Sequence, residues 1–152
     1  MNKKKLIISL LIPLIIGGLS SLLIKDHLDI YPTLNLPPLA PNGALFPIIW
    51  TILYILMGIS CYYVIISNSI LKEKALLLYG FQLIVNFFWP LFFFNLNNYF
   101  LALIILIILL LTIIFMLVVF KDINKISFYL NLPYLLWIIF ALYLNFMIFL
   151  NN

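Results

Sequence analysis

The sequence predicts an all-α integral membrane protein, a five-transmembrane-helix bundle forming one domain over residues 1–152. Three observations carry this. First, 67% of the 152 residues are apolar and 8% are charged, against about 45–50% and about 25% in an ordinary soluble domain, so too little polar surface exists to coat a globule in water. Second, charges are absent from residues 6–24, 30–71 and 75–120, and a membrane span needs about 20 such residues. Third, the apolar runs are continuous rather than alternating, which argues against the strands of a membrane barrel.

The first span covers about 6–24. Its opening, KKK followed by LIISLLIPLII, resembles a signal peptide. The apolar stretch continues to Ile24 without a small-residue cleavage site, so a retained helix is expected. A long connection follows over 25–43. Its second part, YPTLNLPPLAPNG, is rich in Pro and Asn and cannot be a lipid-exposed helix. The second span covers about 44–67, with Pro47 in the first turn, where a missing N–H costs nothing. The long charge-free run 75–120 divides at FNLNNY (94–99), a turn-favouring stretch, into spans of about 75–94 and 99–120. The fifth covers about 127–150.

Lysines set the orientation. Lys3, Lys4, Lys5, Lys72, Lys74, Lys121 and Lys125 fall at one end of the bundle, and only Lys25 at the other. The positive-inside rule places the N-terminus in the cytoplasm and the C-terminus outside, as suits a bacterial cytoplasmic membrane. The 25–43 connection is then external. A net charge of +4 spread between apolar segments does not suggest a nucleic-acid partner. The single Cys61 cannot form an internal disulfide and belongs to no metal-ligand spacing; it reads as a small core residue, and no metal is expected. Asp26, His27 and Asp29 read as a solvated patch on the connection.

Polar groups in a membrane face protein, water or a ligand. In the third span Gln82, Asn86, Trp89 and Phe93 share a face, and Pro90 bars the Asn86 carbonyl from ordinary helix bonding. The fifth span repeats the pattern with Tyr134, Trp137, Ala141 and Asn145, behind Pro133. The second gives Trp50, Tyr54 and Met57 or Cys61, followed by the small Gly58. Each face serves equally well to glue helices together or to contact a ligand. By depth, Trp50 and Trp89 also suit an interfacial aromatic belt, whereas Trp137 falls near mid-membrane with an N–H that needs a partner. The three faces together predict a cavity between spans two, three and five, lidded by the connection.

PPLAPNGALFPIIWTILYILMG (37–58), QLIVNFFWPLFF (82–93) and LPYLLWIIFALYLN (132–145) resemble, in order, three motifs of the translocator protein family, also called peripheral-type benzodiazepine receptors or tryptophan-rich sensory proteins. The resemblance implies a five-helix bundle whose first connection covers a ligand cavity. It implies binding of tetrapyrroles, protoporphyrin or heme precursors, and of isoquinoline- or benzodiazepine-type molecules, with no required cofactor, and a homodimer. By motif position it implies ligand contacts from Tyr31, Trp50, Tyr54, Asn86, Trp89, Trp137 and Ala141; Tyr134 and Asn145 join them from the face they share. Ile30-Tyr31, Leu36 and Pro41-Asn42-Gly43-Ala44 depart from the family's usual Trp-Tyr, Lys and Pro-Pro-Gly-Trp, so two loop tryptophans are missing. No basic residue follows Tyr143, and no specific cholesterol site is expected.

Three functions compete on this reading. A receptor or carrier would enclose a flat ligand between helices. A light-dependent porphyrin-degrading enzyme would use Trp50 and Trp137 as catalytic relays. A structural protein would hold no ligand and pack through small residues such as Gly17 and Ser21.

Overall fold

A computed structural model describes residues 2–152. Among these residues all regular structure is helical, and five stretches are long and apolar enough to cross a membrane. Helix α1 spans Lys3–Ile24, α2 Leu45–Ile65, α3 Lys72–Pro90 and α4 Tyr99–Ile123, while the fifth crossing is made of a short α5, Lys125–Leu130, and a longer α6, Leu132–Asn151.

Asparagines start three of these helices. Asn2, Asn98 and Asn124 each turn a side-chain oxygen onto the free N–H groups of the first turn, at 3.1 Å to Lys5, 3.0 Å to Leu101 and 2.8 Å to Ile126. Asn97, just before the second of these, takes the left-handed conformation (φ 51°) that a short amide side chain tolerates and that reverses the chain between α3 and α4.

The sequence reading treats 127–150 as one uninterrupted span; the chain instead breaks at Asn131. Pro133 is the cause. It has no N–H to give and cannot accommodate the carbonyl of Tyr129, so the helical ladder stops and restarts. The break is held by a buried clasp. Ser60 donates to the Ser127 carbonyl at 2.8 Å, Ser127 donates to the Ser60 carbonyl at 2.9 Å, and the Asn131 amide reaches Ser60 Oγ and, at 3.0 Å, the Ser127 carbonyl. Pro90 perturbs α3 in the same way, and a π-helical turn, Leu91–Asn95, follows it. The Leu91 N–H bonds to the Phe88 carbonyl, leaving that of Phe87 to accept from Ser20 of α1 at 3.3 Å.

Around the bundle the order is α1, α2, α5 with α6, α4, α3, and back to α1, so the last crossing wedges between α2 and α4. Helix α1 touches α2 most closely. A Cβ on Gly58 would stand 2.7 Å from the Ser9 carbonyl oxygen and 2.8 Å from Leu10 Cα, and one on Gly17 would run into the Tyr54 ring. Gly17 therefore acts within the chain, seating an aromatic side chain of α2.

The 25–43 connection is more ordered than its composition suggests. Lys25–Thr33 is a 3-10 helix. Tyr31 at its end is buried, donates to the Pro41 carbonyl at 3.1 Å and meets Phe46 edge-on at 5.3 Å. Asn35 ties the following stretch to the end of α6: its N–H donates to Asn152 Oδ1 at 2.9 Å and its amide to the Asn151 carbonyl at 3.0 Å.

Candidate functional site

Beneath this connection lies a partly enclosed cavity of about 440 Å³. That size falls within the range of about 300–1,000 Å³ usual for small-molecule pockets. Its walls are α1, α2 and α3. Trp50 and Tyr54 come from α2, with their rings stacked at 5.5 Å. Asn86, Trp89 and Phe94 come from α3 and the π turn. Helix α1 contributes Gly17, Ser20, Ser21 and Ile24, and Tyr31 and Phe46 close the top. The exposed lining residues are Ser21, Leu28, Pro32, Asn42 to Ala44 and Pro47, which puts the mouth between the end of α1 with its 3-10 helix and the start of α2.

The position of each wall residue has a local cause. Proline-perturbed α3 brings Ser20 against its backbone. Trp89 is fixed by its indole N–H, which donates to Asn145 Oδ1 at 3.0 Å, while the Asn145 amide donates to the Tyr99 carbonyl at 2.8 Å. Trp89 is 7% exposed, so it is a wall of the bundle interior and not a belt residue in lipid. At the cavity floor the Asn86 amide donates to Tyr134 Oη at 3.1 Å, and Tyr134 donates onward to Gln82 Oε1 at 2.8 Å. Met57 and Cys61, on the same side of α2 as Trp50 and Tyr54, are buried in the core and do not line the cavity.

The expected cavity between spans two, three and five needs correction: its third wall is α1, and no α6 residue lines it. The reason is the helix order. α6 lies between α2 and α4, behind the wall. Tyr134, 1% exposed, stands behind Asn86 and holds it from below. Asn145 stands behind Trp89, both ends of its amide committed to protein. Ala141 is packed in the core. Trp137 is cut off by Phe46, which meets it at 5.9 Å; the indole instead lines a shallow apolar groove on the other side of α2 with Leu53, Pro133 and Phe140. Its buried N–H has no partner among the described residues. Tyr31, Trp50, Tyr54, Asn86 and Trp89, by contrast, do converge on one void.

The sequence reading missed the α1 wall and Phe46. Gly17, Ser20 and Ser21 were its one signal, a small and polar patch in an otherwise greasy helix. His27, Asp26 and Asp29 are exposed, and no His, Cys, Asp and Glu grouping among the described residues could hold a metal.

Fold and site together define a five-crossing helical membrane protein with an aromatic cavity under its own first connection. The chain belongs to the TspO/MBR family, which it matches over residues 9–150. It is 35% identical to the Tryptophan-rich protein TspO of Archaeoglobus fulgidus, over 100% of this chain and 99% of the relative. The Tryptophan-rich protein TspO of Chlorobaculum tepidum is 32% identical over 78% of this chain and 76% of its own length. Protein CrtK of Rhodobacter capsulatus is 32% identical over 76% and 74%.

Proposed function

We propose that the protein is a membrane receptor or carrier for flat, apolar tetrapyrroles such as protoporphyrin and heme precursors, and for similarly flat isoquinoline- or benzodiazepine-type molecules. The observation that carries this is the convergence of Trp50, Tyr54, Trp89 and Tyr31 on one cavity, with the Asn86 amide at its floor. Aromatic rings offer the stacking faces that a conjugated macrocycle needs, and few polar groups suffice to orient it. Tyr134, Trp137, Ala141 and Asn145 act one layer further out, shaping the walls rather than touching the guest. The lysine asymmetry supports a cytoplasmic membrane with the cavity mouth on the outer side. Titrating the purified protein with protoporphyrin in the dark should quench tryptophan emission saturably; linear, unsaturable quenching rejects the reading.

A second reading is light-driven porphyrin breakdown, favoured by the Trp50–Tyr54 stack, two oxidisable rings in contact at the cavity wall. In it the bound porphyrin is the sensitiser, dioxygen the oxidant and Trp50 the relay, with Trp137 too well screened by Phe46 to serve directly. Illuminated Trp50→Phe protein should then lose porphyrin no faster than free porphyrin does; loss at the unaltered rate excludes the relay.

A further inference from the structure

The polar chain under the cavity floor ends on a group that nothing holds. Asn86 donates to Tyr134 at 3.1 Å and Tyr134 donates to Gln82 Oε1 at 2.8 Å, but Gln82 Nε2, fully buried, has no hydrogen-bond partner among the described residues. Neither does the hydroxyl of Tyr79, one turn along α3. In a membrane interior an unmade hydrogen bond cannot be rescued by bulk water, so such an end is costly. At the other end of the chain Asn86 lines the cavity, and its Oδ1 takes no hydrogen bond from the described residues.

A side-chain amide carries an acceptor and two donors on one flat group, and a half-turn exchanges them at nearly the same shape. A phenol both donates and accepts. The chain can therefore run in either direction. In the first, Asn86 gives its N–H to Tyr134, which donates to Gln82, and the Asn86 oxygen is left for the cavity. In the second, Gln82 gives an N–H to Tyr134, which donates to Asn86 Oδ1, and the Asn86 amide hydrogens are left for the cavity. Both directions contain the same number of hydrogen bonds. Both leave Gln82 with one unmatched atom, a nitrogen in the first and an oxygen in the second. A partner on Gln82 Nε2 would have locked the first; none of the described residues supplies one.

We propose that Gln82, Tyr134 and Asn86 form a reversible relay that lets the cavity floor present either a hydrogen-bond acceptor or a donor, so that the bound molecule sets the polarity of its own site. Gln82 is the positioning residue: it never reaches the cavity, yet its freedom to turn gives the floor two faces. This rests on the cavity being the ligand site, and it specifies the class of guest, flat apolar rings carrying one polar edge group of either kind.

The test uses two rigid tricyclic probes of similar shape. Carbazole offers an N–H and acridine a ring nitrogen acceptor. The unaltered protein should bind both with comparable affinity. In Gln82→Leu, Tyr134 has only Asn86 left to donate to, so the floor is fixed with its amide hydrogens outward. Carbazole should then weaken relative to acridine by about tenfold, one hydrogen bond's discrimination. Tyr134→Phe frees Asn86 to turn on its own, and the ratio should return to that of the unaltered protein. Equal weakening of both probes in Gln82→Leu, or the same skewed ratio in Tyr134→Phe, overturns the relay and makes Gln82 a packing residue. An unaltered protein that binds neither tricycle overturns it as well. Protoporphyrin binding is measured alongside: retained binding with an unmoved ratio refutes the relay alone, and lost saturable binding refutes the tetrapyrrole reading alone.

Discussion

The two ends of the bundle use similar residues to opposite effect. At the lysine-rich end, Ser60, Ser127 and Asn131 direct their hydrogen bonds to one another and to each other's backbone, and all three are fully buried. Gly58 lets α1 close onto α2 there. At the other end, Asn86, Trp89 and Ser20 also bond to protein, but only on their outer sides, and their inner sides face a void. The difference teaches that a polar residue in a membrane span is not by itself a sign of a ligand. What matters is whether its bonds are made inward, closing the bundle, or outward, bracing a wall. Prolines accompany both arrangements: Pro133 breaks a helix that is then clasped shut, and Pro90 leads into a π turn that lines the cavity.

The sharpest way to break the closed end is Gly58→Val. The new methyl groups meet backbone of Ser9 and Leu10 that cannot rotate away, so about 3 kcal/mol of stability should be lost, read as a lower thermal unfolding midpoint in detergent. Trp50→Ala addresses the open end. Removing the ring stacked on Tyr54 should weaken protoporphyrin binding about thirtyfold, equivalent to about 2 kcal/mol, in a fluorescence titration. Asn131→Leu separates the two ends: it removes the amide's two bonds to the clasp and should cost about 1 kcal/mol of stability, while dark protoporphyrin affinity stays within about twofold. A large affinity loss in that variant would mean the ends are coupled. The smallest effect is the most discriminating. Trp89→Phe forfeits the bond to Asn145 and should lower the unfolding midpoint, whereas Trp137→Phe forfeits none and should shift it by no more than about half as much.

Much of this was legible in the chain. Composition and charge-free length declared a membrane protein, and FNLNNY and the Pro-rich 31–43 stretch located the breaks. Helical spacing put Gln82, Asn86 and Trp89 on one face, where they are found buried together. Pro133 stands near the start of a long apolar run, and that position hid the break at Asn131. Lys25–Thr33 did not read as a helix because 3-10 turns lack a strong periodic signature and end readily at a residue such as Pro32.

Sequence by itself determined the number of crossings and which polar and aromatic side chains share a side in the second, third and fifth, because both follow from chain-local physics: the hydrocarbon thickness fixes span length, and 3.6-residue periodicity fixes which side chains share a side. Only the tertiary structure decided which faces meet. Lipid tails are as apolar as leucine, so hydrophobicity does not choose one neighbour over another; close packing and interhelical hydrogen bonds do. That is why Gly17 and Gly58 could bring the nearly featureless α1 in as the third wall, and why Tyr134, Trp137, Ala141 and Asn145, so similar in pattern to the cavity residues, ended up behind it.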